Sequence, residues 1–240
     1  MKNRSLLTLI FTLLSILFFL LLIFFRTPFP PYPLMSYQDA FDLLTPVVLI
    51  PVYWILFENT AGGAFKRGET LAFMVLSSVW VLGQGMHLAA NSVNNLAEAL
   101  AREQVFDMTG TTIYTLTYFF DEHLSHTLWH IGIAGLAALL IYRDWRHPSG
   151  EKATWWVTLL SGFLYGFTLF CIFLEGQTVL LGLPFTILIT VLTLVWGRQG
   201  LAQRPVHAFF FVACLVAVLL FTGWGLYWGG FPEFSDVGLI

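Results

Sequence analysis

Twenty consecutive positions, Leu6 to Phe25, carry no charged residue. A helix needs roughly 20 predominantly apolar residues to cross the hydrocarbon core of a bilayer, so this run alone is long enough to span one. Six more apolar segments follow, at about 40–57, 71–92, 122–142, 154–173, 177–196 and 207–228. The second is the weakest, because Asp39, Asp42 and two prolines interrupt it. Only 10% of the residues are charged and 58% are hydrophobic, against roughly 25% charged in soluble domains. The chain therefore lacks the polar surface that would coat a soluble globule, and lipid must be the solvent for much of it.

The first run is preceded by Lys2 and Arg4, as a secretory leader would be. It exceeds the usual apolar core of such a leader, about 7–15 residues, and runs into Arg26 and "TPFPPYP" without a small-residue cleavage pattern. It reads as a retained first span. With the N-terminus cytoplasmic, seven spans put Lys2, Arg4, Lys66, Arg67, Arg143, Arg146, Lys152, Arg198 and Arg204 inside, and only Arg26 and Arg102 outside. That asymmetry follows the positive-inside rule. The expected fold is an all-α, polytopic bundle of seven transmembrane helices, one domain over residues 1–240, with the C-terminus extracytoplasmic. Gly162-x3-Gly166 and Gly225-x3-Gly229 are spacings at which membrane helices can approach closely. Trp155, Trp156, Trp224, Tyr227 and Trp228 suit interfacial belts.

Against this background the stretch "DEHLSHTLWH", residues 121–130, is anomalous, with two acids and three histidines in ten residues. At about 100° per residue, Glu122, His123, His126 and His130 fall within roughly a quarter turn, and Asp121 points elsewhere. In the third span Gln84, His87, Asn91, Asn94 and Asn95 share a face of about 100°. Glu98 and Arg102 continue it at the i, i+4 spacing of an ion pair. Both faces fall at similar depth near the extracytoplasmic side, so His87, His123, His126 and His130 are expected in one cluster, which Glu175 at the turn after span five can join. Charged groups cost about 2.5–3.5 kcal/mol at a helix centre on insertion scales, so these side chains must face the bundle interior, water or a ligand. Histidines at i, i+4 can bind one metal, and with His87 as third nitrogen and Glu122 or water as fourth ligand they would make a tetrahedral zinc site. An interhelical hydrogen-bond network, with Gln84 and Asn91 as partners, is the competing reading.

"SHTLWHIGIAGLAALLIY", Ser125 to Tyr142, resembles one motif of the CREST group of seven-helix membrane hydrolases, which includes alkaline ceramidases, adiponectin-type receptors and lipid-remodelling proteins. Their HxxxH helix often reads like His126-Thr127-Leu128-Trp129-His130. The resemblance implies a zinc ion on His126, His130 and His87, an acid at Asp121 or Glu122, and cleavage of a lipid amide or ester. Three features depart from the group. The HxxxH here falls on the fourth span rather than the last. Gly83 stands where a serine would precede the third histidine by four residues. The acid directly precedes the HxxxH instead of coming from a separate helix end.

Three function classes follow. The first is a zinc-dependent hydrolase of a membrane lipid, with Glu122 or His123 moving protons. The second is a redox subunit holding haem, copper or iron on the same histidines. The third is a transporter or assembly subunit that uses the polar face without catalysis. The last span has no lysine for a retinal Schiff base. A net charge of -3 offers no basic face for nucleic acid, and no Gly-rich phosphate loop or GxSxG elbow occurs. Cys171 and Cys214 lie in apolar runs without CxxC spacing and read as small core residues.

Overall fold

Helix boundaries in the computed structural model follow caps and breakers more closely than the edges of the apolar runs. It describes residues 3–25, 27–30, 32–60, 66–148, 150–198 and 200–239. Lys2 and Arg26, both used in the charge count, lie outside the described residues. The fold is all-α apart from one short antiparallel pair, β1 (Pro28–Phe29) with β2 (Tyr32–Ser36). The helices are α1 (Arg4–Phe19), α2 (Tyr37–Asp42), α3 (Thr45–Asn59), α4 (Arg67–Arg102), α5 (Thr112–Tyr118), α6 (His126–Arg146), α7 (Trp155–Glu175), α8 (Val179–Leu192) and α9 (Pro205–Trp228).

Six helical stretches among the described residues are long and apolar enough to cross a membrane: Tyr37–Asn59, Arg67–Arg102, Thr112–Arg146, Trp155–Glu175, Val179–Gly197 and Pro205–Trp228. The fold is that of a multi-pass membrane protein. α1 is shorter, at 16 residues, and gives way to a 3₁₀ turn at Leu21–Phe24. Its start is capped by Asn3, whose Oδ1 accepts the Leu6 N–H at 3.0 Å. Ser5, Thr8, Thr12 and Ser15 line its buried face. The hydroxyls of Thr8, Thr12 and Ser15 bond to carbonyls of their own helix, Ser5 Oγ accepts the Thr154 N–H at 3.0 Å, and Thr12 also reaches the Ser161 carbonyl of α7 at 3.3 Å.

α4 is 36 residues long, about 54 Å at 1.5 Å per residue. It runs ten residues beyond the expected end of its apolar segment, because α5 packs against that overhang. Thr117 donates to Asn94 Oδ1 at 2.8 Å and Tyr114 to Glu98 Oε1 at 3.2 Å. Glu98 therefore takes a tyrosine hydroxyl, and the expected Glu98–Arg102 ion pair does not form among the described residues.

Glycines set the closest helix approaches. A Cβ on Gly83 would meet the Trp129 amide nitrogen at 2.5 Å and the Ser125 carbonyl at 2.6 Å, and one on Gly132 would meet Trp80 at 2.7 Å. α4 and α6 are thus in backbone contact, a pairing absent from the GxxxG reading. Gly162 and Gly166 do serve as expected, against Val212 and Ala213 of α9. Gly225-x3-Gly229 does not: Gly229 has φ +68° and ends α9, with nothing within 4 Å of its Cβ position. A left-handed glycine is the usual helix terminator.

Rings fill the middle of the bundle. The Tyr53 and Tyr165 hydroxyls satisfy each other at 2.8 Å, and the Phe11 ring packs on both at 4.7 and 5.0 Å. At one end, fully buried Arg143 bonds Glu69 and Thr60 and lies 4.0 Å from the centre of the Phe57 ring. Buried Asp144 accepts the His207 N–H at 2.9 Å and faces Arg4 at 3.6 Å. Arg143 lies 17 residues beyond His126 on α6, about 26 Å along the axis, so this charged lock and the histidines occupy opposite ends.

Gly83 and Gly85 give a matched test. Gly83→Ala must push α6 away and is expected to lose about 1–3 kcal/mol of stability. Gly85, with nothing within 4 Å of its Cβ position, should gain up to about 1 kcal/mol as alanine. Thermal melts of both variants in mild detergent check the two signs.

Candidate functional site

Between α5 and α6 the chain winds as a π-helix over Phe119–Ser125. Its i→i+5 bonding takes more residues per turn than an α-helix, so residues five apart stand above one another. Asp121 and His126 are five apart. The α-helical projection that turned Asp121 away from the histidines fails here for that reason. Asp121 is 1% exposed. Its Oδ1 lies 2.7 Å from His87 Nδ1, and its Oδ2 accepts from Asn94 at 2.7 Å. The same winding leaves His123 exposed, against the rings of Tyr118 and Phe119. His123 does not join the cluster, and its place is taken by Asp121.

Three imidazoles remain together. The His87 and His126 ring centres are 4.8 Å apart, and those of His126 and His130 6.0 Å apart. Each Nδ1 faces a particular neighbour: Asp121 for His87, the Thr178 hydroxyl for His130, and Glu122 Oε2 at 3.7 Å for His126. No Nε2 of the three is hydrogen-bonded among the described residues. Trp129 packs at a tilt beside all three rings, and its buried Nε1–H has no hydrogen-bond partner among the described residues. Gly176 lets the turn after α7 sit on His130; a Cβ there would meet the ring at 2.4 Å.

The amides of α4 find partners other than the histidines. Gln84 donates to Asp42 Oδ1 at 2.8 Å and to the Asp42 carbonyl, and accepts from Trp80 at 2.8 Å. Asn91 donates to Asp39 Oδ1 at 3.1 Å. Asp39 also closes a capping box with Ser36 at the start of α2. The two acids that seemed to interrupt the second span are thus the acceptors for the amide face of the third. Asn95 is half-buried and makes no side-chain hydrogen bond among the described residues.

A cavity of about 580 Å³ opens beside the cluster. Asp42, His87, His126, Trp129, His130 and Glu175 form its polar end, while the end of α1 and the middle of α7 supply an apolar wall. Glu175 Oε1 also accepts the Phe234 N–H at 2.6 Å, which brings the C-terminal segment over this site. Of the expected site residues, His87, His126, His130, Glu122, Asp121 and Glu175 gather here, whereas Gln84 and Asn91 serve a neighbouring network. Asp42, Trp129 and Thr178 were not expected as site members, and Asn94 was expected only on the polar face of the third span. Asp42 carried a signal, a carboxylate in an apolar run; Thr178 carried none. Free, buried Cys171 also lines the cavity.

Among the described residues no three His, Cys, Asp or Glu side chains already stand in the geometry of a metal site. The chain matches no family model, no curated protein and no solved structure.

Asp121→Ala should leave the His87 Nδ1 and the Asn94 Nδ2 without their carboxylate, at about 1–3 kcal/mol for each buried group stranded. His123→Ala, at an exposed position, should stay within about 0.5 kcal/mol of wild type. Unfolding of the two variants side by side checks the contrast.

Proposed function

We propose that the protein is a zinc-dependent membrane hydrolase that cleaves a lipid amide or ester at the extracytoplasmic side of a seven-helix bundle. The observation that carries this reading is the shared pattern of the three imidazoles. Each Nδ1 is turned to a carboxylate or hydroxyl, and each Nε2 is uncommitted among the described residues, beside one cavity. Metal-binding histidines characteristically donate one ring N–H to such a partner, which fixes the tautomer and orients the other nitrogen. His87, His126 and His130 would hold the ion, and the rings would have to turn toward one another to do so. Bound zinc lowers the pKa of its water to about 7 and polarises a carbonyl. Asp121, Glu122 and Thr178 orient the rings. Asp42, on the cavity wall, would take a proton, since exposed His123 does not line the cavity.

The topology has its own support. α1 with the Leu21–Phe24 turn reaches about 30 Å by the rises of the two helix types, the thickness of a hydrocarbon core, and so would complete a seventh span. Arg4, Arg143 and Arg204 cluster around Asp144 and Glu69 at the end opposite the histidines. The positive-inside rule would make that end cytoplasmic.

Elemental analysis of protein extracted in mild detergent tests the proposal. Zinc is expected at stoichiometric level in the wild type and in His123→Ala, and should be lost in His126→Ala and His130→Ala. Asp121→Asn should weaken zinc affinity about 10–100-fold, as loss of a ring-orienting partner does. A wild type without stoichiometric metal removes the hydrolase reading.

A further inference from the structure

The cavity has two chemically distinct ends and a side opening. Its apolar wall includes Leu21 and Phe24 of the turn after α1 and Phe167 of α7, which are 44%, 74% and 43% exposed. They continue two rows of exposed apolar side chains, Leu13 and Leu17 on α1 and Leu160 and Phe163 on α7. On a membrane bundle such rows face acyl chains. The cavity therefore opens sideways, between the turn and α7, toward lipid, and a ligand can reach the histidines without first entering water.

The polar end sets the head group. Asp42 and Glu175 line it, and no Lys or Arg among the described residues does. A phosphate there would be set against carboxylates with no cation to pair it, and like charges brought together cost several kcal/mol. The buried Trp129 Nε1–H, unpartnered among the described residues, calls for an acceptor. The imidazole Nε2 atoms, not hydrogen-bonded among the described residues, call for a donor. An uncharged group with both, an amide or a hydroxyl, fits. The volume of about 580 Å³ lies in the range of roughly 300–1,000 Å³ typical of sites for one small ligand.

We propose that this cavity takes one single-chain amphiphile from the bilayer, its alkyl chain between the α1 turn and α7 and its uncharged amide or hydroxyl head at Trp129 and the histidines. The hydrolase reading enters only in making that head the group that reacts.

Photolabelling of the full chain in lipid nanodiscs tests the site. Three probes carry one diazirine on the same alkyl chain: a primary fatty amide, the corresponding alkyl phosphate, and a diacyl phosphatidylcholine. The amide is expected to label peptides covering 16–24 and 167–172, and unlabelled fatty amide should compete it away. The phosphate and the diacyl lipid should label these segments about tenfold less, a difference of about 1.4 kcal/mol. Leu21→Trp, at an exposed position on the mouth, should lower amide labelling by a similar factor. Equal labelling by all three probes, or labelling spread over the exposed faces of α8 and α9, overturns the proposal. Running the labelling with and without chelator separates it from the hydrolase reading. Labelling here by protein that carries no zinc as extracted, before any chelator, upholds the amphiphile site and removes the hydrolase. Zinc binding without labelling of these segments does the reverse.

Discussion

A carboxylate in an apolar slab must find donors, and around Asp121 that requirement organises one end of the molecule. Its two oxygens take His87 and Asn94, both from α4, and Asn94 in turn accepts from Thr117 of α5. This chain of bonds fixes the register of α5 and the π-helical segment against α4. It exists only because the i→i+5 winding brings Asp121 round to the face that also carries His126. The widened turn is a less favourable helix, used in short pieces and often at functional sites. The buried bonds of Asp121 offset it. Gly83 is the second condition: without backbone contact at that point, α6 could not bring His126 and Trp129 beside His87.

Polar groups concentrate at the two ends of the bundle, and rings occupy the space between. Arg143, Asp144 and His207 bind four helices at one end, largely to one another. The histidines at the other end are different. The Nδ1 atoms of His87 and His126 lie opposite carboxylates and that of His130 meets the Thr178 hydroxyl, while the rings border a cavity with an apolar wall. Phe11, Tyr53, Trp80 and Tyr165 close the centre. The chemistry available to the histidine end is thus that of a shielded site reached from one side, and it supports a reaction or a bound ligand over a path through the bundle.

Much of this was legible in the sequence. Hydrophobic length found the six long apolar helices, since the lack of water inside a bilayer leaves a helix little freedom to be anything else. The polar faces of α4 and α6 emerged from helical periodicity, and His87, His126 and His130 meet as that periodicity implied. What was hidden has three physical sources. The π-helix has no strong local signature, so the α-helical projection across Phe119–Ser125 kept Glu122 beside His126 but exchanged Asp121 with His123. Asp39 and Asp42 looked like faults in a span, because their partners Asn91 and Gln84 lie 52 and 42 residues away. The decisive glycine contacts, Gly83 on Trp129 and Gly132 on Trp80, follow no GxxxG spacing, because each meets a bulky neighbour rather than a second glycine.

The bond between His87 and Asp121 can be measured directly with a double-mutant cycle. Unfolding free energies of wild type, His87→Ala, Asp121→Ala and the double variant, taken in one detergent, isolate the pair from the surrounding packing. A coupling of about 0.5–3 kcal/mol, the range for side chains in direct contact within one polar network, is the predicted result. Additive losses, with coupling near zero, would mean that the two side chains do not meet, and the site built on their contact would not exist.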